Sequence, residues 1–234
     1  MLRREFNSVC MPALLTLLGS AHGQALALSL ADLSGGDASR GVKAALEQGA
    51  KVAIGLLGKT DGFLGNDKVR IPLPGYLNDA SQLLRTFGMG QRLDELITAM
   101  NRAAESAVPL AQDLLLGAVK SMNVDDAKKI LSGGNTSVTT FFTEKTRSPL
   151  AEKFLPIVTR TTEKVGLAAS YNQVAGKAVD MGLMSKENAS IQHYVTGKSL
   201  DGLYFMIGEQ EKKIRQDPVG TGSALLSKVF GALK

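Results

Sequence analysis

Thiol and imidazole chemistry have little to build on in this chain: of its 234 residues one is a cysteine, Cys10, and two are histidines, His22 and His193. Cys10 and His22 both fall in a stretch, Met1 to Gly23, that reads as an export signal. A processed chain would keep His193 alone. Thiol catalysis and disulfides are then excluded, and a zinc site of the Cys/His kind lacks ligands. No metal centre and no cofactor are expected. Charge of one sign is also lacking: the net charge is +5, and loss of Arg3, Arg4 and Glu5 with the signal leaves +4. Lys212, Lys213 and Arg215 stand beside Glu209, Glu211 and Asp217, the pattern of a solvated helix face and not of a nucleic-acid stripe. Nucleic acid is therefore not an expected partner, and no apolar run of the processed chain suggests a membrane span.

The first residues carry the address. Arg3 and Arg4 precede a short apolar run, Val9 to Leu18, and Ala21-His22-Gly23 places small residues where a signal peptidase reads, with cleavage before Gln24. An amphipathic first helix is the alternative, but Pro12 interrupts the run and no polar face alternates with its leucines. Arg3-Arg4-Glu5-Phe6 resembles the twin-arginine signature, yet its flanks match poorly, so the general secretory route is preferred. Cys10 lies in front of the apolar run, not behind it, which excludes a lipoprotein signal. The expectation is a periplasmic protein with a signal at 1–23, a small-residue connector at 24–36 and one helical domain at 37–234. Without disulfides its stability must come from the packed core.

Strand-like alternation is nearly absent, and a three-to-four-residue apolar period runs through almost all of the chain after the signal. The fold class read from it is all-α, a single compact multi-helix domain with one long irregular loop after its first helix. Asp37 can cap that helix, whose apolar face is Val42, Ala45, Leu46, Ala53, Leu56 and Leu57, and Gly41, Gly49 and Gly55 within it mark close packing. Thr60 to Pro74 is the loop; its end, Val69 to Pro74, is extended because each proline drives the preceding residue out of helical geometry. Leu77, Leu83, Leu84 and Phe87 form the next apolar face, which stops at Gly88. Leu93, Leu96, Ile97, Met100, Ala103, Ala104 and Ala107 form another, up to Pro109, which kinks the helix or starts a new one through Leu114, Leu115, Ala118, Val119 and Met122.

Asn123 caps a helix from Asp125 to Leu131, closed by Gly133-Gly134. Ser148-Pro149 reads as a helix start, Pro156 as a kink or break near Leu155 and Gly166 as the stop. A helix follows over 168–181, then a long one through Leu200, Leu203, Ile207 and Ile214 that Pro218 ends. Glu209 with Lys213, and Glu211 with Arg215, are spaced as surface ion pairs. A short tail, Ala224 to Leu233, is expected to dock on the core.

Several fragments imitate catalytic motifs and fail their physical requirements. Gly58-Lys59-Thr60 ends like a phosphate-binding loop, but Ala53 stands where that loop needs glycine, and a helix precedes it where a strand is required. Gly88-Met89-Gly90 lacks the third glycine of a dinucleotide fingerprint. No Gly-x-Ser-x-Gly elbow or Ser-x-x-Lys pair occurs. Asp61, Asn66 and Asp67 miss the calcium-loop spacing. One carboxylate is better placed: Glu105-Ser106 on a helix with Tyr171-Asn172 later resembles the lysozyme-like lytic transglycosylases. That resemblance implies an exported helical enzyme in which the glutamate is acid and base on peptidoglycan. The chain departs from the pattern because its Gly-Leu-Met segment, Gly182 to Met184, follows Tyr171-Asn172 instead of preceding it. Glu105 is accordingly a weak catalytic candidate, with an ordinary pairing to Arg102 as the alternative.

A wider resemblance covers nearly all of the chain after the signal. It rests on Lys59-Thr60-Asp61-Gly62-Phe63-Leu64, Val69-Arg70-Ile71-Pro72-Leu73-Pro74, Met100 to Glu105 with Ala107-Val108-Pro109, Asp125 to Leu131, Lys153 to Val158 and Leu200-Asp201-Gly202-Leu203. By these fragments the chain resembles the bacterial family called domain of unknown function 4197. The resemblance implies an exported helical protein and brings no activity with it; the lipoprotein signals of many relatives are missing here. Two functions stay open: a non-enzymatic envelope protein that binds a small ligand, a glycan or another protein, and a carboxylate-only glycan-cleaving enzyme using Glu105. For binding, the candidates are Asn101 and Arg102, polar within an apolar helix, Asp201 in the late helix, and Lys59, Asp61 and Arg70 in the loop. Hydrogen bonds that merely fix the loop to the helices would explain the same six residues.

Overall fold

Apolar residues recurring through 42–57 give the first helix one dry face, and every later long helix is built against that face or against its neighbours. The computed structural model describes residues 35–134, 136–182, 190–220 and 223–231. The elements are α1 (Gly35–Leu57), α2 (Gly75–Asp79), α3 (Ser81–Leu84), α4 (Gly90–Ala107), α5 (Gln112–Ser121), α6 (Val124–Ser132), α7 (Ser137–Thr162), α8 (Gly166–Asp180), α9 (Ile191–Gln216) and α10 (Ala224–Gly231). There is no strand among the described residues, so the fold is all-α. The signal, the connector up to residue 34, the side chain of Asp37, Leu183-Met184 and Leu233 lie outside the described residues. The end of the connector does not: Gly35 and Gly36 open α1, two residues ahead of the expected cap.

The centre is a three-way packing of α7 with α9 and α4, and of α9 with α1; α5, α6 and α10 close around α1. On α1, Val42, Ala45, Leu46, Ala53 and Leu57 are buried as expected, but Leu56 is 37% exposed and Ile54 takes its place. Leu56 lies a full helical step off the stripe. Of the three glycines only Gly41 marks a tight approach: a Cβ there would run into the side chain of Val229 on α10. Gly49 has ordinary room beside Gln210, and Gly55 faces open space.

The segment from Leu77 to Phe87 departs from its apolar pattern. Leu77 is buried, whereas Leu83 is 60% and Phe87 73% exposed. Here α3 runs into a π turn, Arg85–Met89, where Phe87 leaves helical dihedrals and Gly88 takes φ 76°, rotating the phenylalanine off the core face. The stop at Gly88 was the legible part. Pro109 sits in the first turn of a 3-10 segment, Val108–Ala111, that joins α4 to α5. Asn123 caps α6 as expected, in a capping box with Asp126.

Three boundaries around α7 differ from the sequence reading. The helix starts at Ser137, eleven residues before Ser148, and runs unbroken through Pro149 and Pro156 to Thr162. The two prolines are seven residues apart and leave the carbonyls of Lys145 and Glu152 without their helical donors; both residues lie on the exposed side, where water can replace the missing bonds. Gly166 opens α8 and does not close α7. Glu163 N–H donating to the Thr159 carbonyl at 2.9 Å and Val165 N–H donating to the Thr162 carbonyl at 3.1 Å complete the corner.

Glu211 and Arg215 are not a surface strut. Glu211 is 6% exposed, and its Oε1 accepts from Arg215 Nε at 2.8 Å; Arg215 Nη2 donates to the Ile130 carbonyl of α6 at 2.7 Å and the guanidinium lies 5.6 Å from the centre of the Phe230 ring on α10. One guanidinium thereby ties α9 to α6 and α10. Glu209 pairs with Lys212 at 2.9 Å and Lys68 at 3.2 Å in place of Lys213. The tail docks: Leu226, Val229 and Phe230 are buried against α1 and α9.

Two measurements check this packing. Gly41→Ala is expected to lower stability by about 1–3 kcal/mol through overpacking on Val229, while Gly55→Ala in the same helix raises it by about 0.5–1 kcal/mol; denaturant melts of the two variants should move in opposite directions. Burial pushes the Glu211 carboxyl above its ordinary range, with Arg215 drawing it partly back. The folded chain therefore holds this proton more tightly than the unfolded chain, so the contribution is fully present below the unfolded pKa and is lost as pH rises through the folded one. Relative to Glu211→Gln, the parent protein should melt highest in acid and lose that advantage toward neutrality.

Candidate functional site

The loop between α1 and α2 is irregular yet sits in the core, so its backbone needs partners that helices do not offer on their own surfaces. Successive turns carry it from Gly58 to Arg70, and Val69, Ile71 and Leu73 then point inward while Arg70 and Pro72 point out. Phe63 is fully buried. Its ring lies on Gly202 of α9, where a Cβ would come within 2.7 Å of Cε1.

Polar side chains of α4 take up the loop's main chain. Asn101, fully buried, accepts from Ile71 N–H at 2.8 Å and donates from Nδ2 to the Ile71 carbonyl at 3.0 Å and to its own helix at Ile97 at 2.8 Å. The exchange with Ile71 is the pair of bonds that an antiparallel neighbour would make. Glu105, 4% exposed, accepts on Oε1 from Phe63 N–H at 3.0 Å and Leu64 N–H at 3.1 Å. Its Oε2 takes Arg102 Nη1 at 2.6 Å, and the other arm of Arg102 reaches Asp61 at 2.8 Å. Asp61 stands in the left-handed region at φ 63°, which aspartate tolerates better than most residues. From α9, the Tyr194 hydroxyl donates to the Pro72 carbonyl at 3.1 Å.

The six binding candidates and Glu105 thus separate. Asn101, Arg102, Glu105 and Asp61 form one connected clamp under and beside the loop. Lys59 and Arg70 are exposed at its outer surface; Asp94, whose carboxyl Arg85 holds below its ordinary range by a direct hydrogen bond, also feels Arg70 more weakly. Asp201 is elsewhere, half exposed and paired with Arg147 of α7 at 2.9 Å. The second half of the transglycosylase-like pattern is also engaged in structure: Asn172 accepts from Ile191 N–H at 2.8 Å and donates to Gln192 at 2.9 Å, holding the start of α9.

Open space lies along the seam of α7 and α9. A cleft of about 520 Å³ is lined by Arg147, Glu152, His193, Lys198 and Asp201 among others, and one of about 390 Å³ continues past Arg147 and Asp201 to Thr139, Thr143 and Phe205. The floor of the first is opened by Gly197, which faces no atom within 4 Å of where its Cβ would be. Thr196 lines its wall with a buried hydroxyl that has no hydrogen-bond partner among the described residues. Asp201 is the one sequence candidate on this groove. Arg147, Thr139 and Phe205 escaped sequence reading, although Thr136, Thr139, Thr143 and Arg147 recur at three- and four-residue spacing. Placing the start of α7 at Ser148 left that stripe outside any helix.

Replacing Asn101 tests the clamp. Asn101→Ala leaves the N–H and C=O of Ile71 buried and unpaired, and a loss of about 3 kcal/mol or more is expected in denaturant unfolding; Lys59→Ala, at an exposed position, should stay within about 0.5 kcal/mol of the parent.

A family model described as "Protein of unknown function (DUF4197)" matches residues 32–231. No curated protein and no solved structure matches the chain.

Proposed function

The chain belongs to the DUF4197 family, and from that premise we propose that it is an exported protein of the cell envelope which binds a ligand along the α7–α9 groove without transforming it. The observation that carries this reading is the division of labour among the polar residues. Asn101, Arg102 and Glu105 spend their hydrogen-bonding groups on the loop, whereas Arg147 and Asp201 meet in open clefts and keep donors and acceptors to spare. An acid catalyst needs an oxygen that a substrate can reach, and both oxygens of Glu105 are engaged in a nearly solvent-free position. Concave shape, mixed polar and apolar walls and a volume in the ordinary range for ligand sites support recognition at the groove. Export rests on the pattern of residues 1–23.

Three experiments test it. Protein recovered by osmotic shock should begin at Gln24 by mass spectrometry; a cytoplasmic chain that retains Cys10 defeats the export reading and returns thiol chemistry to consideration. A screen of envelope metabolites should raise the melting temperature of the parent, and Gly197→Leu, whose Cβ would meet no atom within 4 Å on the groove floor, should abolish that rise while folding normally. Release of soluble muropeptides from peptidoglycan by the parent, lost in a folded Glu105→Gln variant, would favour the enzyme over the binder.

A further inference from the structure

We propose that the half of the groove beyond Arg147 and Asp201 takes an uncharged sugar ring, the first unit of a neutral oligosaccharide that continues past those two residues into the adjoining cleft. This rests on the reading of the α7–α9 groove as a binding face and names its ligand class.

Charge is the first argument. Arg147 is paired with Asp201 at 2.9 Å and Glu209 with Lys212 at 2.9 Å, so the four charged residues that line this cleft balance in pairs, while Lys68 approaches Glu209 at 3.2 Å from outside the lining. A charged ligand would have to displace a partner already in place, and gains little over the pair it breaks. A neutral one does not. The pairs still offer hydrogen bonds, since a guanidinium has five N–H donors and a carboxylate about four acceptor sites. Side by side, Asp201 can accept from one hydroxyl of a vicinal diol while Arg147 donates to its neighbour. Such bonds to ionised groups are stronger than neutral ones.

The remaining wall is made of groups that match hydroxyls. Thr136 and Thr139 have side-chain hydroxyls with no hydrogen bond among the described residues, and Thr143 donates to its own helix at the Thr139 carbonyl at 2.7 Å, which leaves its lone pairs free. Behind them Tyr204 and Thr146 close on each other at 2.9 Å and keep the back of the cleft fixed. Phe205 completes the set. It is 40% exposed on the groove edge of α9, where burial in the core would be expected of a phenylalanine without a partner to cover it. The electron-rich face of an aromatic ring accepts the polarised C–H groups on the flat side of a pyranose. At about 390 Å³ the space suits one ring with its ordered water.

Amide-resolved NMR of the processed chain, titrated in turn with maltotetraose, chitotetraose, tetragalacturonate and tetra-alanine, decides the matter. At least one neutral oligosaccharide should shift the amides of Thr139, Phe205 and Gly208 saturably, and Phe205→Ala and Asp201→Asn, both at exposed positions, should each weaken that binding roughly tenfold. Saturable shifts that persist undiminished in both variants overturn the proposal, as does the absence of any shift with the two neutral sugars. If tetragalacturonate or tetra-alanine moves the groove amides and the neutral sugars do not, the sugar assignment falls and the groove remains a binding face. If no probe moves them, the sugar assignment again falls, and the broader reading stands or falls on the Gly197→Leu thermal-shift comparison.

Discussion

An irregular segment can lie in a helical core only if something other than a helix satisfies its backbone, and α4 supplies that with Asn101 and Glu105. The amide of Asn101 exchanges both bonds with Ile71, and one oxygen of Glu105 gathers two N–H groups at Phe63 and Leu64. Arg102 then neutralises the buried carboxylate and reaches over to Asp61 at the loop's outer edge. The order of dependence is clear from chemistry: a carboxylate without Arg102 would be buried and uncompensated, and loop N–H groups without Glu105 would be orphaned. Once those bonds exist, Phe63, Val69, Ile71 and Leu73 can deliver their apolar surface to the core.

The same seat governs the distant groove through α9. Phe63 and Val69 press on Gly202, which allows the loop to approach the helix closely and so sets the rotation of α9 about its axis. Asp201 is the next residue back, about a hundred degrees around the helix, and is thereby turned toward α7 and Arg147. Phe205 follows four residues on along the same edge. The loop thus bears on which α9 side chains line the groove, and it also reaches the groove wall itself through Lys68, which pairs with Glu209.

Charge pairs in this protein fall into two kinds with different physical roles. Glu211 with Arg215 is enclosed, reaches three helices and is costly to ionise, so it matters to how α6, α9 and α10 meet. Arg147 with Asp201 and Glu209 with Lys212 are open to water and contribute little to stability. Their availability for other bonds is what distinguishes the groove wall from the clamp, where the same residue types are consumed.

Periodicity alone was enough for the all-α class, for the buried faces of α4 and α9, for that of α1 except Leu56, and for the docked tail, because burial of an apolar stripe depends on spacing within a helix. Capping chemistry at Asn123 and the stop at Gly88 were equally legible, being local. Pro149 as a helix start and Pro156 as a helix break misled, since a proline's cost depends on whether the freed carbonyl faces water, and only the packed helix shows that Lys145 and Glu152 lie outward. Phe87 misled for a related reason, since the π turn rotates it off the core, and Leu83 misled because α3 ahead of that turn buries none of its residues. The polar candidates were recognisable as residues that needed partners, but partners at a separation of thirty residues or more cannot be read from one segment. Tertiary structure alone assigned Asn101, Arg102, Glu105 and Asp61 to holding the loop and set Asp201 beside Arg147 in open space, because hydrogen-bond satisfaction is decided between elements and not within them.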